Sequence, residues 1–455
     1  MKGLLGGMVA VVLILGLTPV PALAQFGPLL SGAGPINQSM GGASTAAPLS
    51  ASGALLWNPA TLSGLDRSEL DVGAELLFPQ TRLSSSVSAN TFGPGVPPVR
   101  VSGTTRNEDS VFALPTISLA YRPDESPFTY GLGIFGIAGF GLDYGGSPTN
   151  PVLTAPPPNG LGFGPIFSEY QVLQIAPALV YEVNDQFSIS VSPLLNIGSL
   201  QLDPAVFSAP DDANGDTFFT YPPGTHSRTA WGAGFSLGAY YTAGDWGFGA
   251  NYKSPQWFDS YSYNTTNELG QPRTAAFNLD LPAIVSVGTS YKGIDRWLLA
   301  ADLRYLDFKN TDGWGDSGFA ANGALRGVGF ESIFVVALGT QYQLTDALSV
   351  RAGYSWNQNP ISDSQTAANV ASPLIIEHIL SAGASYQVTD DLTLSLAYSH
   401  GFENTISGAI VLPTGAVPGT SITSTAAVDM LFVGATVKFG NRKCRPLIGQ
   451  TAATN

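Results

Sequence analysis

Leu348-Ser349-Val350-Arg351-Ala352-Gly353-Tyr354-Ser355-Trp356 takes apolar and small or polar residues in turn. Period two is the mark of a strand with one apolar face and one different face. A short polar turn, Thr345-Asp346, precedes this stretch, and a long Gly/Pro/Asn-rich connection follows it at 358–373. The same stripe recurs in both directions along the chain. Leu392, Leu394, Leu396 and Tyr398 stand opposite Thr393, Ser395 and Ser399. Trp231, Ala233, Phe235, Leu237, Ala239 and Tyr241 face away from Gly232, Gly234, Ser236 and Gly238, and Trp246, Phe248, Ala250 and Tyr252 repeat the pattern. Such segments centre near 74, 116, 132, 174, 191, 236, 250, 284, 302, 337, 351, 381, 396 and 433. That makes about fourteen strands, an even number suited to a closed antiparallel sheet.

The connections alternate in length. Short turns fall at Pro123-Asp124-Glu125, Asn184-Asp185, Ala243-Gly244-Asp245, Gly293-Ile294-Asp295, Thr345-Asp346 and Thr389-Asp390. Long ones are expected near 80–108, 141–165, 203–227, 263–273, 309–328, 358–373 and 404–424. Tyr121, Tyr181, Tyr241, Tyr252, Tyr291, Tyr342 and Tyr386 lie close to the short turns, where an aromatic girdle at a membrane surface belongs. The chain is 44% hydrophobic and only 11% charged, against about 25% charged in soluble domains. Beyond residue 24 no run approaches the roughly 20 apolar residues of a spanning helix. A barrel in lipid reconciles the two, because only alternate residues meet the lipid. A soluble β-sandwich also alternates, but its strands are commonly about 5–6 residues and its connections show no such order. The fold class is therefore all-β: a transmembrane antiparallel barrel of about fourteen strands over 67–439, placed in a bacterial outer membrane with both termini on the periplasmic side.

The ends carry their own signals. Lys2, the apolar run Leu4 to Leu17 and Ala22-Leu23-Ala24 form a signal peptide over 1–24, with the mature chain expected from Gln25. Residues 440–455 form a tail whose Arg442, Lys443 and Arg445 are expected in the periplasm, and its lone Cys444 has no partner for an internal disulfide. Net charge −14 argues against nucleic acid as a partner. The remaining partners are outer-membrane lipid and lipopolysaccharide, for a chain that reads as a monomer.

Residues 25–66 do not alternate. Glycines punctuate Gln38-Ser39-Met40-Gly41-Gly42-Ala43 and Ser52-Gly53-Ala54-Leu55-Leu56-Trp57-Asn58-Pro59-Ala60. Short helical turns with glycines suit a hatch packed inside a barrel too wide to fill itself with side chains. Met40-Gly41-Gly42-Ala43 followed by Trp57-Asn58-Pro59-Ala60 resembles the N-terminal hatch of the FadL/TodX outer-membrane transport family, which carries an Asn-Pro-Ala motif. The resemblance continues through Tyr252-Lys253-Ser254-Pro255, Leu281-Pro282 to Gly288 and Tyr291, Asp302-Leu303-Arg304-Tyr305 before Asp307-Phe308, Arg351 to Trp356 with Pro360-Ile361, and the closing strand at Phe439.

The resemblance implies a fourteen-stranded barrel closed by the hatch. A hydrophobic ligand would be caught by the extracellular loops, held in an internal apolar pocket and released sideways at a kinked third strand. Here that strand runs into Gly136-Ile137-Ala138-Gly139-Phe140-Gly141, and glycines inside a strand weaken pairing and mark kinks. The hatch motif residues are Gly41, Gly42, Asn58, Pro59 and Ala60, with Asn-Pro building a fixed turn. Gly136, Gly139 and Gly141 are the lateral-opening candidates.

A fatty acid needs apolar walls and a cation for its carboxylate. Inward parity offers Lys253, Arg304 and Arg351, alongside Asp302 and Glu377, with a basic residue serving as that cation or the charges pairing with each other or with the hatch. Ile333, Val335, Met430 and Phe432 share the lumen parity, where a water-filled pore has no use for them; they line a pocket or, equally, pack against the hatch. The chain thus reads as a passive uptake channel for long-chain fatty acids or similar molecules. Neutral aromatic or aliphatic hydrocarbons are the alternative cargo, and a water-filled porin for polar solutes the alternative class. No enzyme is expected: Gly315-Asp316-Ser317-Gly318 lacks a completed triad, and His226, His378 and His400 are scattered. No cofactor is called for. Asp212, Asn214 and Asp216 alternate oxygen ligands as calcium loops do, without the downstream Glu.

Overall fold

The computed structural model describes residues 26–108, 111–224 and 228–441. The expected signal peptide, the start at Gln25, His226 and the tail residues Arg442, Lys443, Cys444 and Arg445 lie outside the described residues. Fourteen strands form the wall. They are β1 (Ser68–Val87), β2 (Val101–Arg106 continued by Phe112–Tyr121), β3 (Phe128–Tyr144), β4 (Ile166–Glu182), β5 (Phe187–Asp203), β6 (Ala230–Ala243) and β7 (Trp246–Lys253). Then come β8 (Ile284–Tyr291), β9 (Trp297–Leu306), β10 (Ile333–Gln343), β11 (Leu348–Asn357), β12 (His378–Gln387), β13 (Leu392–Gly408) and β14 (Thr420–Phe439). Each strand runs antiparallel to its neighbours, and β14 pairs with β1 from Ser68↔Phe439 to Val87↔Thr420, which closes the barrel. Every centre read from the alternation falls within one of these strands.

The alternation puts the apolar stripe outside. On β13, Leu394, Leu396 and Tyr398 are about half exposed, while Ser395 and Ser399 are buried in the lumen. On β11, Arg351, Gly353, Ser355 and Asn357 point inward. The exposed rings of the short-turn end pair across strands: Phe128 with Tyr181 at 5.2 Å, Trp246 with Tyr291 at 4.6 Å and Trp297 with Tyr342 at 4.8 Å between centroids.

Three long connections are shorter or more ordered than expected. The stretch 80–108 is about half strand, since β1 continues to Val87 and Val101–Arg106 pairs back onto it. Likewise β13 reaches Gly408 and β14 begins at Thr420, so the expected loop 404–424 shrinks to its tip. The stretch 263–273 sits in a β-hairpin, Tyr261–Thr266 against Pro272–Phe277. In all three, polar residues such as Ser, Thr, Asn or Arg stand on both faces, which hides the period-two signal once a strand leaves the lipid.

The N-terminal segment fills the lumen. It contains α1 (Gly34–Ser39), α2 (Ala51–Trp57) and a 3₁₀ turn at Pro59–Gly64. Between Phe26 and Leu65 only Leu49 and Gly64 are not buried. Helices of six and seven residues are too short to hold themselves, so the wall must hold them.

Candidate functional site

Three carboxylates on the lumen face of β1 seat the two hatch helices. The Glu75 Oε1 accepts the Gly34 N–H at 2.7 Å, at the start of α1. Glu69 Oε1 accepts the Ala51 N–H at 2.6 Å, and Asp71 Oδ2 accepts the Ser52 N–H at 3.0 Å, both at the start of α2. Carboxylates there satisfy N–H groups the helix leaves unbonded and complement its dipole. Glu69, Asp71 and Glu75 lie two and four residues apart, hence on one strand face. That spacing is a signal readable in the sequence, since acidic residues an even number apart on a strand share one face.

Across the lumen, Asp302 on β9 plays the same part. Its Oδ2 accepts the N–H groups of Ser44 and Thr45 at 2.9 Å each, the Thr45 hydroxyl at 2.8 Å and Arg304 Nη2 at 2.6 Å. Asn58 ties the hatch to a third place on the wall. Its Nδ2 donates to Thr45 O at 2.8 Å and to Ala239 O on β6 at 2.9 Å, while its Oδ1 accepts the Ala60 N–H at 3.2 Å. Pro59 then starts the 3₁₀ turn at the position where a missing N–H costs nothing.

Gly41 and Gly42 hold positive φ of 65° and 82°. A Cβ on Gly42 would stand 2.0 Å from Ser31 O, and one on Gly353 of the wall 2.0 Å from Gly41 N. Gly339, paired with Gly353, faces Met40 O in the same manner. The inward glycines are thus bearing surfaces for hatch backbone, where the sequence had left them open to a water-filled reading.

Above this floor the basic candidates separate. The guanidinium carbon of Arg304 lies 3.7 Å from the centroid of the Trp57 ring, and Lys253 Nζ lies 5.6 Å from it. Both residues are buried. Arg304 spends Nη2 on Asp302 and on Gly42 O at 2.7 Å, but its Nε and Nη1 are buried without a hydrogen-bond partner. Lys253 Nζ makes no hydrogen bond or ion pair to a described residue. Arg351 stands elsewhere. Arg304 pairs with Val335, which faces Asn357, and Arg351 is six residues from Asn357 toward the short turn, roughly 20 Å along the strand. Its Nε donates to Gln341 and its Nη1 to Ser385, each at 2.7 Å.

All four apolar candidates are buried on the lumen face. On β10 Val335 pairs with Arg304 and Ile333 with Leu306, whereas Phe432 and Met430 on β14 pair with Glu75 and Leu77 beside α1.

The glycine-rich third strand is irregular where expected. The register to β4 slips between Gly136 and Ala138, with Ile137 bulged. Pairing to β2 stops at Thr116↔Phe135, and from Phe135 to Leu142 the strand is buried on both faces. The freed edge is taken by the N-terminal residues: Leu30 N donates to Ile137 O at 2.9 Å and Gly139 N to Pro28 O at 2.8 Å. Gly141 stays paired with Glu169 of β4.

Toward the long loops the lumen is lined by rings. Trp314 meets Phe330 at 4.9 Å, Phe308 meets Phe330 at 5.5 Å and Phe140 meets Tyr170 at 5.4 Å. Phe140, Leu200, Phe207, Phe277, Leu279 and Trp314 enclose a cavity of about 30 Å³. That is well below the roughly 150 Å³ that holds a benzene. Phe207 and Phe277 stack 3.7 Å apart at its edge. Just outside the wall, burial pushes the Asp280 carboxyl above the usual carboxylate range. Its backbone oxygen accepts the Trp314 indole N–H at 2.7 Å. Nothing in the sequence marked Trp314 or Phe330, which lie in irregular loops without periodicity. Asp212, Asn214 and Asp216 turn their oxygens onto Thr217 N, Asp216 N and Phe218 N of their own exposed loop.

Residues 20–439 match the family model described as outer membrane protein transport protein (OMPP1/FadL/TodX). Among solved structures, the toluene transporter TodX of P. putida superposes with a TM-score of 0.64 at 19% identity, covering 90% of this chain and 100% of that one. The toluene transporter TbuX of Ralstonia pickettii gives 0.63 at 19% identity over 90% and 99%. A FadL homologue of Pseudomonas aeruginosa gives 0.64 at 17% identity over 93% and 99%. A curated relative, alkane uptake protein A of Marinobacter nauticus, is 28% identical over 123 residues, which is 26% of each chain.

Proposed function

Since this chain belongs to the outer membrane protein transport family (OMPP1/FadL/TodX), we propose that its cargo is a long-chain fatty acid or a similar anionic amphiphile. It is an outer-membrane transporter of hydrophobic compounds, and the finer reading concerns what it carries and by which path. The observation that carries it is the pair Lys253 and Arg304 over Trp57: Arg304 keeps two buried donors, Nε and Nη1, without a partner, and Lys253 stands beside it at the foot of an apolar lumen. Buried donors left unmade are costly, and an arriving carboxylate would satisfy them. The ring-lined half above then takes the tail, at ~0.8 kcal/mol per CH₂ buried.

In this reading the long loops face outward and both termini the periplasm. Cargo parts the rings around Trp314, settles its head group on Lys253 and Arg304, and leaves sideways beside β3. Support for that exit is the unpaired edge above Phe135, closed by Phe26–Leu30 and not by wall strand. Movement of those few residues would open the wall while leaving the barrel closed elsewhere.

A second reading is favoured by the loop-side cavity, whose lining is nearly all apolar, and by relatives named for toluene and alkane uptake. Neutral hydrocarbons would need only that half. A porin is disfavoured by a lumen occupied by the hatch. Palmitate and hexadecane binding to the purified protein separates the first two. Lys253→Met is expected to weaken palmitate roughly 10–100-fold, the worth of one charged hydrogen bond, and to leave hexadecane unchanged. Equal palmitate binding in both proteins hands the lumen to neutral cargo.

A further inference from the structure

On three adjacent strands the lipid-facing stripe gives way to polar residues around one row, Phe78–Asp429–His400. On β1 it runs Leu70, Val72, Ala74, Leu76, Phe78 and gives way to Gln80, Arg82, Ser84 and Ser86. On β14 it runs from Phe439 to Leu431 and gives way to Asp429, Ala427, Thr425 and Thr423; on β13 Tyr398 gives way to His400, with one further exposed ring, Phe402, beyond it. The stripe covers nine residues on β1 (Leu70–Phe78) and on β14 (Leu431–Phe439) and seven on β13 (Leu392–Tyr398), close to the ~9–11 that cross a hydrocarbon core. The border itself is hydrogen-bonded. Asp429 accepts Gln80 Nε2 at 3.1 Å and the Tyr398 hydroxyl at 2.5 Å, and His400 Nδ1 lies 2.8 Å from its Oδ1.

Beyond the border β1, β2, β13 and β14 continue as an exposed panel of cross-strand hydroxyl pairs. Ser84 meets Thr104 at 2.8 Å, Thr405 meets Thr425 at 3.1 Å and Ser407 meets Thr423 at 2.8 Å. At its foot Arg82 stands directly opposite Arg106 in the register. Like charges so placed repel unless an anion lies between them. Arg82 gives one N–H to Glu403 at 2.6 Å, Arg100 reaches Ser86 Oγ at 3.4 Å, and Arg106 has no hydrogen-bond or ion-pair partner among the described residues. These are three of nineteen basic residues in a chain of net charge −14.

We infer that this panel docks the phosphorylated glycolipid of the outer leaflet, lipopolysaccharide. A phosphate bridges Arg82 and Arg106 by charge-assisted hydrogen bonds, the acyl chains lie along Leu76 and Phe78, and the sugars lie along the hydroxyl rows. The inference rests on the reading that the long-loop end faces outward, and does not depend on the cargo.

The test uses the full-length protein in detergent, with bis-phosphorylated lipid A and fully dephosphorylated lipid A as probes and native mass spectrometry counting bound lipid. The double variant Arg82→Gln/Arg106→Gln is expected to bind the phosphorylated form about tenfold more weakly, and Glu403→Gln, which frees Arg82, about threefold more tightly. Dephosphorylated lipid A should bind all three proteins alike and weakly. Wild-type binding by the double variant, or equal binding of both lipids to the wild type, overturns the proposal. If the double variant does not fold, shown by loss of its heat-modifiable mobility, the Glu403→Gln and lipid comparisons decide alone. Labelling of Val99→Cys on intact cells in a Cys444→Ser background, with an impermeant maleimide, separately tests the orientation. A labelled loop with unchanged lipid binding sinks the docking alone, and an unlabelled one sinks the orientation.

Discussion

In the short-turn half of the lumen the hatch meets the wall through carboxylates, backbone amides and bare glycines, whereas in the long-loop half rings meet other rings. Asp302 alone accepts four hydrogen bonds. Such contacts are directional and fail if the backbone shifts by an ångström. The cluster around Trp314 has no such exactness: apolar contacts are non-directional and re-form after a neighbour moves. The lower half is therefore suited to staying shut, and the upper half to parting around a guest of variable shape. Between them, Trp57 belongs to both, since it ends a hatch helix and carries the two cations.

The sharpest way to break this contrast is Asp302→Ala. It removes the anchor of Ser44 and Thr45 and leaves Arg304 buried without its counter-charge, a loss of about 3–5 kcal/mol. The expected outcome is a barrel that still assembles, read by heat-modifiable mobility, but passes ions in planar bilayers. An ion-tight Asp302→Ala would mean that the hatch is held by something other than these polar contacts. Next in size is Trp314→Leu in the upper half, about 2 kcal/mol as a fraction of the roughly 3–5 for full truncation. It should alter hexadecane binding and leave the bilayer current at baseline; an ion leak here would erase the distinction between the halves. The smallest effect is expected from Ser50→Ala. This residue's hydroxyl accepts the Gly53 N–H at 3.3 Å, and loss of an N-cap costs ~1 kcal/mol. Because Glu69 and Asp71 already serve the same helix end, thermal unfolding should shift slightly and conductance not at all. A large shift would show that the wall carboxylates do less than their geometry indicates.

Much of the fold was legible because lipid enforces a strict rule. A strand such as Leu392–Gly408 must turn Leu394, Leu396 and Tyr398 outward, so the alternation of residue types is visible without coordinates. The rule lapses where the strand leaves the membrane, which is why Ser84–Val87 and Val101–Arg106 read as loop. Of the site, the hatch and its Asn58-Pro59-Ala60 turn could be located, as could the glycines around the Ile137 bulge. The inward direction of Lys253, Arg304 and Arg351 followed from parity. Parity says nothing about height along the barrel or about what stands across the lumen. Arg351 therefore looked equivalent to Arg304, although it sits far below and is satisfied by Gln341 and Ser385.

By itself, then, the sequence determined a two-faced wall, the side of it each residue occupies, the alternation of short and long ends, and a non-strand segment at the start. These follow from local periodicity, which a linear chain records. Only the tertiary structure decided that β1 lends its three carboxylates to two helix ends and that Arg304 and Lys253 meet over Trp57. It also decided that Phe26–Leu30 takes the edge β2 leaves on β3. Each of these joins residues far apart in sequence across a closed lumen, and their meeting depends on register and curvature.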